Sequence, residues 1–516
     1  MNKFLIYALS IIVVACIMPL SASAAPMWEN LSKDDFIRVG LAYGANAPAS
    51  CEIYSESGFI LGFMEDGGLM DGLPLTSYKR LTIKLSGRYV TALADGVLIS
   101  DDLGSSGCVL PYDYRDGGVI SFAGASYRGG LSFRSNTNNT VTVINLLPFE
   151  QYLYGVLNSE MGRTSPEEAL KAQAVVSRSY AKHELGSHAG DGFDVCTSVH
   201  CQVYKGYSGE YAETTAAVDN TAGQILSYEG KVISANFFKN SGGYTQNSED
   251  VWGDSLDYLR GVKDEFSPDY PWSWSISFSD LSRTLASNNM NCGEISSVEV
   301  SARNANGYVK ELKVTGSRGT IALKKEQIRN VLGASNVKSL NFNIGSEGAG
   351  QSAGGNSGEK NEGGAKAPVI YISNGQTVKN AAGDVYAISA ADGSDKVTRL
   401  KLNSVSVLGA EPTETAAQSA PGSGASDGAR SASASASGGT KTASASASGG
   451  TQPASAVSSS ASTVGAGNIA AGGRVVFTGL GFGHGVGMPQ DSAIEMAKQG
   501  YSYTEILNKF YTGVQL

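Results

Sequence analysis

Between Phe36 and Leu146 apolar and polar positions alternate in short runs, as in Ile37-Arg38-Val39-Gly40-Leu41, Leu81-Thr82-Ile83-Lys84-Leu85 and Val141-Thr142-Val143-Ile144, separated by Gly, Asp and Asn. A period of two between turn residues predicts a strand-rich segment. The period changes at Phe149. From there to Leu185 the spacing is helical around an apolar-flanked turn at Ser159-Glu160-Met161. The second helix carries its own start signal, with Ser165 as cap, Pro166 in the first helical position and Glu168 closing a capping box; Gly186 is its stop. Strands are expected again over residues 223–238 and 298–314, and a short helix over 325–332. Helical spacing recurs over 492–498 and 503–511. Strand and helix runs are segregated rather than alternating, which predicts an α+β fold.

After Phe342-Asn343-Ile344 the pattern stops. Residues 346–367 read as a Gly/Ser-rich linker, 368–408 as a small β-patterned island, and 409–472 as a second linker dominated by Ala, Ser and Gly. The second linker repeats ASASASGGT at 432–440 and 443–451. It holds too little apolar side chain to offset its ordering entropy, so a flexible tether is expected. Patterned sequence resumes at 473–516.

The first residues have a different character. Asn2-Lys3, an apolar run from Phe4 to Leu20 and Ala22-Ser23-Ala24 read as a secretory signal peptide over 1–24. An uncleaved N-terminal helix and a lipobox at Val13-Val14-Ala15-Cys16, leaving a lipidated Cys16, are the alternatives. Each reading puts the protein outside the cytoplasm, in the wall or on the outer membrane face. The formal charge of −9 becomes −10 when Lys3 leaves with the leader, which argues against nucleic acid as a partner. Six cysteines are too few for a disulfide scaffold. Cys51 and Cys108 are candidates to pair, and Cys292 has no partner in the sequence.

Chemistry concentrates in three stretches. Glu160 lies among Val156, Leu157 and Met161, and a carboxyl in apolar surroundings keeps its proton to higher pH and can act as a general acid. On spacing alone, a helix-end or capping glutamate is the favoured account of it. Cys196-Thr197-Ser198-Val199-His200-Cys201 sets two thiols and an imidazole within six residues, a spacing that suits zinc. His188 is the fourth ligand of choice and water the alternative; His183 belongs to the helix. A Cys196–Cys201 disulfide or two free thiols remain the other readings. In Gly483-His484-Gly485-Val486-Gly487-Met488 the alternating glycines leave the imidazole little cover, so His484 either lines a cleft or is held structurally by a backbone carbonyl.

Three ordered motifs give these stretches a context. LPFEQYLYGVLNSEMGRTSPEEALKAQAVVSRSYAK at 147–182, NSGGYTQNSEDVWGDSLDYLRGV at 240–262 and GLGFGHGVGMPQ at 479–490 resemble the SpoIID/LytB domain of endospore-forming bacteria. The resemblance implies a domain with a main part over 31–345 and a closing segment over 473–516, interrupted by roughly 130 residues. Loop-closure entropy grows only logarithmically, so such an insertion is tolerable.

The resemblance further implies a lytic transglycosylase cutting between N-acetylmuramic acid and N-acetylglucosamine, with Glu160 as its single acid. Lys171, Gln173, Arg178, Ser241, Gly242, Gly243, Trp252, His484 and Gln490 fall at motif positions and are expected at the substrate. The Cys196, His200, Cys201 and His188 cluster is similar to one that holds zinc in some family members. Peptidoglycan glycan strands, an amidase or endopeptidase, and membrane proteins of an engulfment machine are the implied partners. The second class of function implied is a non-catalytic, glycan-binding amidase enhancer.

Overall fold

The computed structural model describes residue 28, residues 31–66, 68–346 and 473–516, and the backbone of 385–389 and 396–400. The leader over 1–24 with Cys16, and the linker over 409–472, lie outside the described residues. Within the expected island, Val385–Ser389 and Lys396–Leu400 pair antiparallel as a hairpin.

The fold is α+β. Its N-terminal part stacks a seven-stranded sheet on a six-stranded one. Alternation accounts for the stacking: Leu131, Val141 and Val143 of the larger sheet meet Ile53, Ile83, Ala92 and Ile120 of the smaller in one buried cluster. Cys51 sits opposite Ile83 in the smaller sheet and Cys108 opposite Gly62 in the larger, and both thiols are free. The expected Cys51–Cys108 pair therefore does not form, because Cys51 packs against the cluster between the two sheets whereas Cys108 joins Phe36, Ile60, Leu110 and Leu146 in a separate cluster; its neighbour Val109 is the residue that faces the smaller sheet.

The larger sheet also carries the helices. Ile37, Val39 and Leu147 join a core with α1 (Phe149–Glu160), α2 (Glu167–His183) and α3 (Ala212–Asp219). The start of α2 differs from the sequence reading. Pro166 is the cap residue and no side chain caps the helix. Glu168 is drawn away from a capping box by Lys171 at 2.9 Å and by the Tyr503 N–H, which donates to it at 2.7 Å. Residues 223–238 hold only two-residue strands, at Ser227–Tyr228, Lys231–Val232 and Phe237–Phe238, since the span is broken by turns.

After the short helix α4 (Ser248–Val251), a second core packs Pro271–Ser277, α5 (Phe278–Ser287), a three-stranded sheet over 295–324 and α6 (Gln327–Leu332). Ser277 caps α5 by accepting from the Asp280 N–H at 3.1 Å.

The closing segment belongs to both cores. Its strand Arg474–Leu480 lies between Pro271–Ser277 and Phe342–Ser346, so the chain leaves and re-enters at neighbouring strands. Its helices α7 (Gln490–Lys498) and α8 (Tyr503–Phe510) bury Ala493, Met496, Ile506, Leu507 and Phe510 in the α1–α2 core.

Candidate active site

Glu160 is the last residue of α1. Met161 turns extended (φ −136°, ψ 113°), and the carboxyl faces a cavity of about 380 Å³ lined by Tyr180, Val199, Cys201, Val203, Asn236, Phe237, Trp252 and His484. Burial pushes the carboxyl up to about 7, and the Val203 N–H, which donates to it, offsets only part of that rise. The Val203 loop reaches Glu160 because α1 is notched. A Cβ on Gly155 would come within 2.5 Å of the Tyr204 ring, and the Lys205 N–H donates to the Gly155 carbonyl at 3.1 Å. Tyr204 is further fixed by its hydroxyl, which donates to Asn145 at 2.7 Å.

Cys201 belongs both to that cavity wall and to a metal-ligand cluster. One ligand atom each from His188, Cys196, His200 and Cys201 lies within 4.8 Å of the others. Cys201 Sγ is 3.5 Å from His188 Nε2 and 3.4 Å from His200 Nδ1, and Cys196 Sγ is 3.9 Å from His200 Nδ1. Ligand atoms about 2.0–2.3 Å from a tetrahedral zinc stand about 3.3–3.8 Å from one another, so the four groups fit such an ion.

The surroundings suit it as well. The outer nitrogen of His188, Nδ1, is 3.5 Å from Asp191 Oδ2, and its ring stacks on Phe193. Burial raises Cys196, but donors from Ser198, Cys201 and His200 outweigh it and hold the thiol down to about 6; burial pushes Cys201 up to about 11. Both thiols are free, so the Cys196–Cys201 disulfide is not formed.

His484 is half-buried and its ring lies 5.0 Å from that of Trp252. Nε2 is 3.0 Å from the Phe237 carbonyl and Nδ1 accepts from the Val486 N–H at 3.2 Å, which assigns the neutral ring with its proton on Nε2. Burial, with the charge of Arg329, pushes it down to about 4. It walls the cavity but has no nitrogen left for proton transfer. Trp252 is 46% exposed and free to face a ligand.

The structure brings Glu160, Trp252 and His484 together and sets the other expected substrate residues elsewhere. Arg178 is fully buried, 2.6 Å from Glu150, and donates to the carbonyls of Gln224 and Val218. Lys171 pairs with Glu167 and Glu168. Ser241 is buried and its hydroxyl donates to Asp264, while Gly242 (φ +63°) and Gly243 (φ +105°) form the turn that follows. A Cβ on Gly242 would meet the Leu480 backbone at 2.9 Å. Gln173 and Gln490 lie behind Glu160, buried against each other.

Tyr180 and Asn236 escaped the sequence reading. Tyr180 had a legible signal: seven residues after Gln173 and three after Ser177, it falls on the same face of α2. Asn236 had none, because it sits in a loop between two-residue strands.

Residues 137–228, which contain Glu160 and all four cluster residues, match the family described as Stage II sporulation protein. Residues 234–355 match a domain of unknown function, DUF8618. An uncharacterized protein of Brachyspira hyodysenteriae is 34% identical over 236 residues, 45% of this chain and 62% of that one. The amidase enhancer of Bacillus subtilis is 32% identical over 179 residues, 34% of this chain and 24% of its own length. Stage II sporulation protein D of Bacillus amyloliquefaciens is 33% identical over 205 residues, 36% of this chain and 58% of its own length. The chain thus spans less than two thirds of each of these relatives. By these matches it belongs to the SpoIID/LytB group, that of stage II sporulation protein D and the amidase enhancer.

Proposed function

We propose that this protein is an exported peptidoglycan lytic transglycosylase. Glu160 protonates the glycosidic oxygen between N-acetylmuramic acid and N-acetylglucosamine, then takes the proton of the muramyl C6 hydroxyl as that oxygen closes on C1 to leave a 1,6-anhydro end. The observation that carries this reading is a carboxyl held protonated to about pH 7 at a cavity whose other lining residues include no carboxylate. Glycoside hydrolysis uses a second carboxylate to activate water or attack the sugar. Closure by the substrate's own hydroxyl needs only one. Trp252 offers a flat apolar surface for a sugar face.

In this reading His188, Cys196, His200 and Cys201 hold a structural zinc. Four protein ligands close its coordination, so its contribution is to fix the loop that carries Val203. Glycan strands, an amidase or endopeptidase that strips stem peptides, and membrane proteins of an engulfment machine are the proposed partners, with sporulation as the setting.

The names of the relatives favour a second reading, a non-catalytic amidase enhancer that binds glycan. One experiment separates the two. Wild type and Glu160→Gln are incubated with intact peptidoglycan and with peptide-free glycan, and the products are weighed. Ends one water lighter than hydrolytic ends, from wild type alone, establish the transglycosylase. Intact glycan in both samples, with binding retained and a partner amidase accelerated, establishes the enhancer.

A further inference from the structure

The start of α7 fastens the closing segment to the rest of the fold through three consecutive residues. Gln490 Nε2 donates to the Glu160 carbonyl at 2.8 Å and lies 3.4 Å from Gln173 Oε1. Asp491 pairs with Lys239 at 2.6 Å and accepts from Asn240 at 3.0 Å. Ser492 donates at 2.6 Å to Asp264, the buried carboxylate that Ser241 also reaches. Of the three, Gln490 alone touches the residue that carries the acid.

The last carbonyls of a helix have no partner within it and leave the final turn free to fray. Glu160 sits on that turn, and its carboxyl is held from one side by the Val203 N–H. Gln490 supplies the missing partner on the backbone side. Its amide is itself oriented: Gln173, fully buried, presents Oε1 to it while its own Nε2 donates to Ser177 at 3.1 Å. We propose that Gln490 is the positioning residue for Glu160, so that the acid is aligned only once residues 473–516 have docked. This rests on the reading of Glu160 as the catalytic acid, and it gives the closing segment a role in turnover besides its role in packing.

The test uses the full mature chain with Gln490→Met, which keeps the volume but removes both donors, and Ser492→Ala, which loosens the same attachment without touching Glu160. The readouts are kcat and KM for anhydro-end formation on peptide-free glycan, hydrogen exchange of the amides at 158–161, and Tm. For Q490M, kcat falls about 10- to 100-fold, the range that a small misplacement of a reacting group produces. KM stays within about twofold, exchange at 158–161 rises about tenfold or more, and Tm holds. S492A keeps kcat.

An unchanged kcat in Q490M overturns the proposal. So does a joint fall of kcat, Tm and protection throughout α2 and α7, which marks a merely structural role. If wild type makes no anhydro ends, the transglycosylase reading falls by itself and the exchange arm decides: unchanged protection at 158–161 in Q490M removes the positioning role, and a local rise retains it.

Discussion

Helix α1 carries a glutamate near each end, and the fold treats the two in opposite ways. Glu150, in the first turn, accepts from Arg178 through Nε at 2.9 Å and Nη2 at 2.6 Å, and from the Gly223 N–H at 3.2 Å. Glu160, in the last turn, has the Val203 N–H and no cationic partner among the described residues, and burial lifts it to about 7. Position on the helix dipole runs the same way, since a carboxylate is favoured at the N-terminus and disfavoured at the C-terminus. One acid is paired with the Arg178 guanidinium and ties α1 to α2. The other is kept neutral and turned toward a cavity. On the proposed mechanism, the structural and the reactive carboxylate differ in their surroundings and not in their chemistry.

The largest effect comes from removing the reactive member. Glu160→Gln keeps the shape and loses the proton, and the expected fall in anhydro-end formation is about 10²- to 10⁴-fold with glycan binding intact. In wild type the rate falls as pH rises through about 7, where Glu160 gives up the proton that the first step needs. His484, pushed down to about 4, contributes no limb near neutrality. Stability follows the same group. Between its ordinary 4.5 and about 7 the folded chain holds a proton that the unfolded chain has released, so wild-type stability falls across that window as pH rises. Glu160→Gln lacks this slope, and denaturant melts of the two proteins from pH 4 to 8 measure the difference.

The structural member breaks differently. Arg178→Met strands Glu150 in a half-buried site without its cation, and a loss of about 3–5 kcal/mol of stability is expected in urea unfolding. Glu150→Gln added to Arg178→Met removes the stranded charge and recovers much of that loss. If Arg178→Met instead melts like wild type and raises KM, Arg178 acts at the substrate and the contrast between the two acids fails.

Metal removal comes next in size. The cluster and Glu160 share the loop from Cys196 to Tyr204, so chelation is expected to lower both Tm and turnover, with zinc restoring both. Asp191→Ala, which removes the group 3.5 Å from His188 Nδ1, has a smaller effect, about a tenfold loss of zinc affinity by competition titration.

How much of this was legible beforehand depends on the kind of signal. Glu160 and the cluster were readable because an apolar-flanked acid and a close Cys/His spacing are local properties. The two cores were readable in part: strands at 298–314 announced themselves by alternation, whereas α5, whose cap Ser277 and apolar positions Phe278, Leu281 and Leu285 are plain in hindsight, went unassigned. Arg178 shows where a local reading stops. A polar residue on an apolar helix face signals a buried partner as well as a ligand, and the partner, Glu150, is 28 positions away. Gln490 is similar, since its acceptor is a backbone carbonyl 330 residues upstream. Ser241 and its glycines fit a glycan-facing surface or a tight turn equally in the sequence, and the partner of the serine hydroxyl, Asp264, follows at no motif spacing.

The smallest effect tests the cavity wall. Trp252 is 46% exposed and rests near the His484 ring, whose own nitrogens are engaged by backbone, so the indole contributes area and no proton chemistry. Trp252→Ala is expected to cost about 1 kcal/mol of glycan binding, roughly a fivefold rise in KM with kcat nearly unchanged. Trp252→Phe should keep most of the affinity because a flat ring remains. The split matters more than its size. If Trp252→Ala lowers kcat and leaves KM alone, the indole excludes water from the Glu160 carboxyl in the transition state; its removal would then return the alkaline limb of the rate profile toward the ordinary carboxylate range. A KM effect with the limb fixed near 7 assigns the raised affinity for the proton to the end of α1 and the Val203 loop, and leaves the aromatic wall with binding alone.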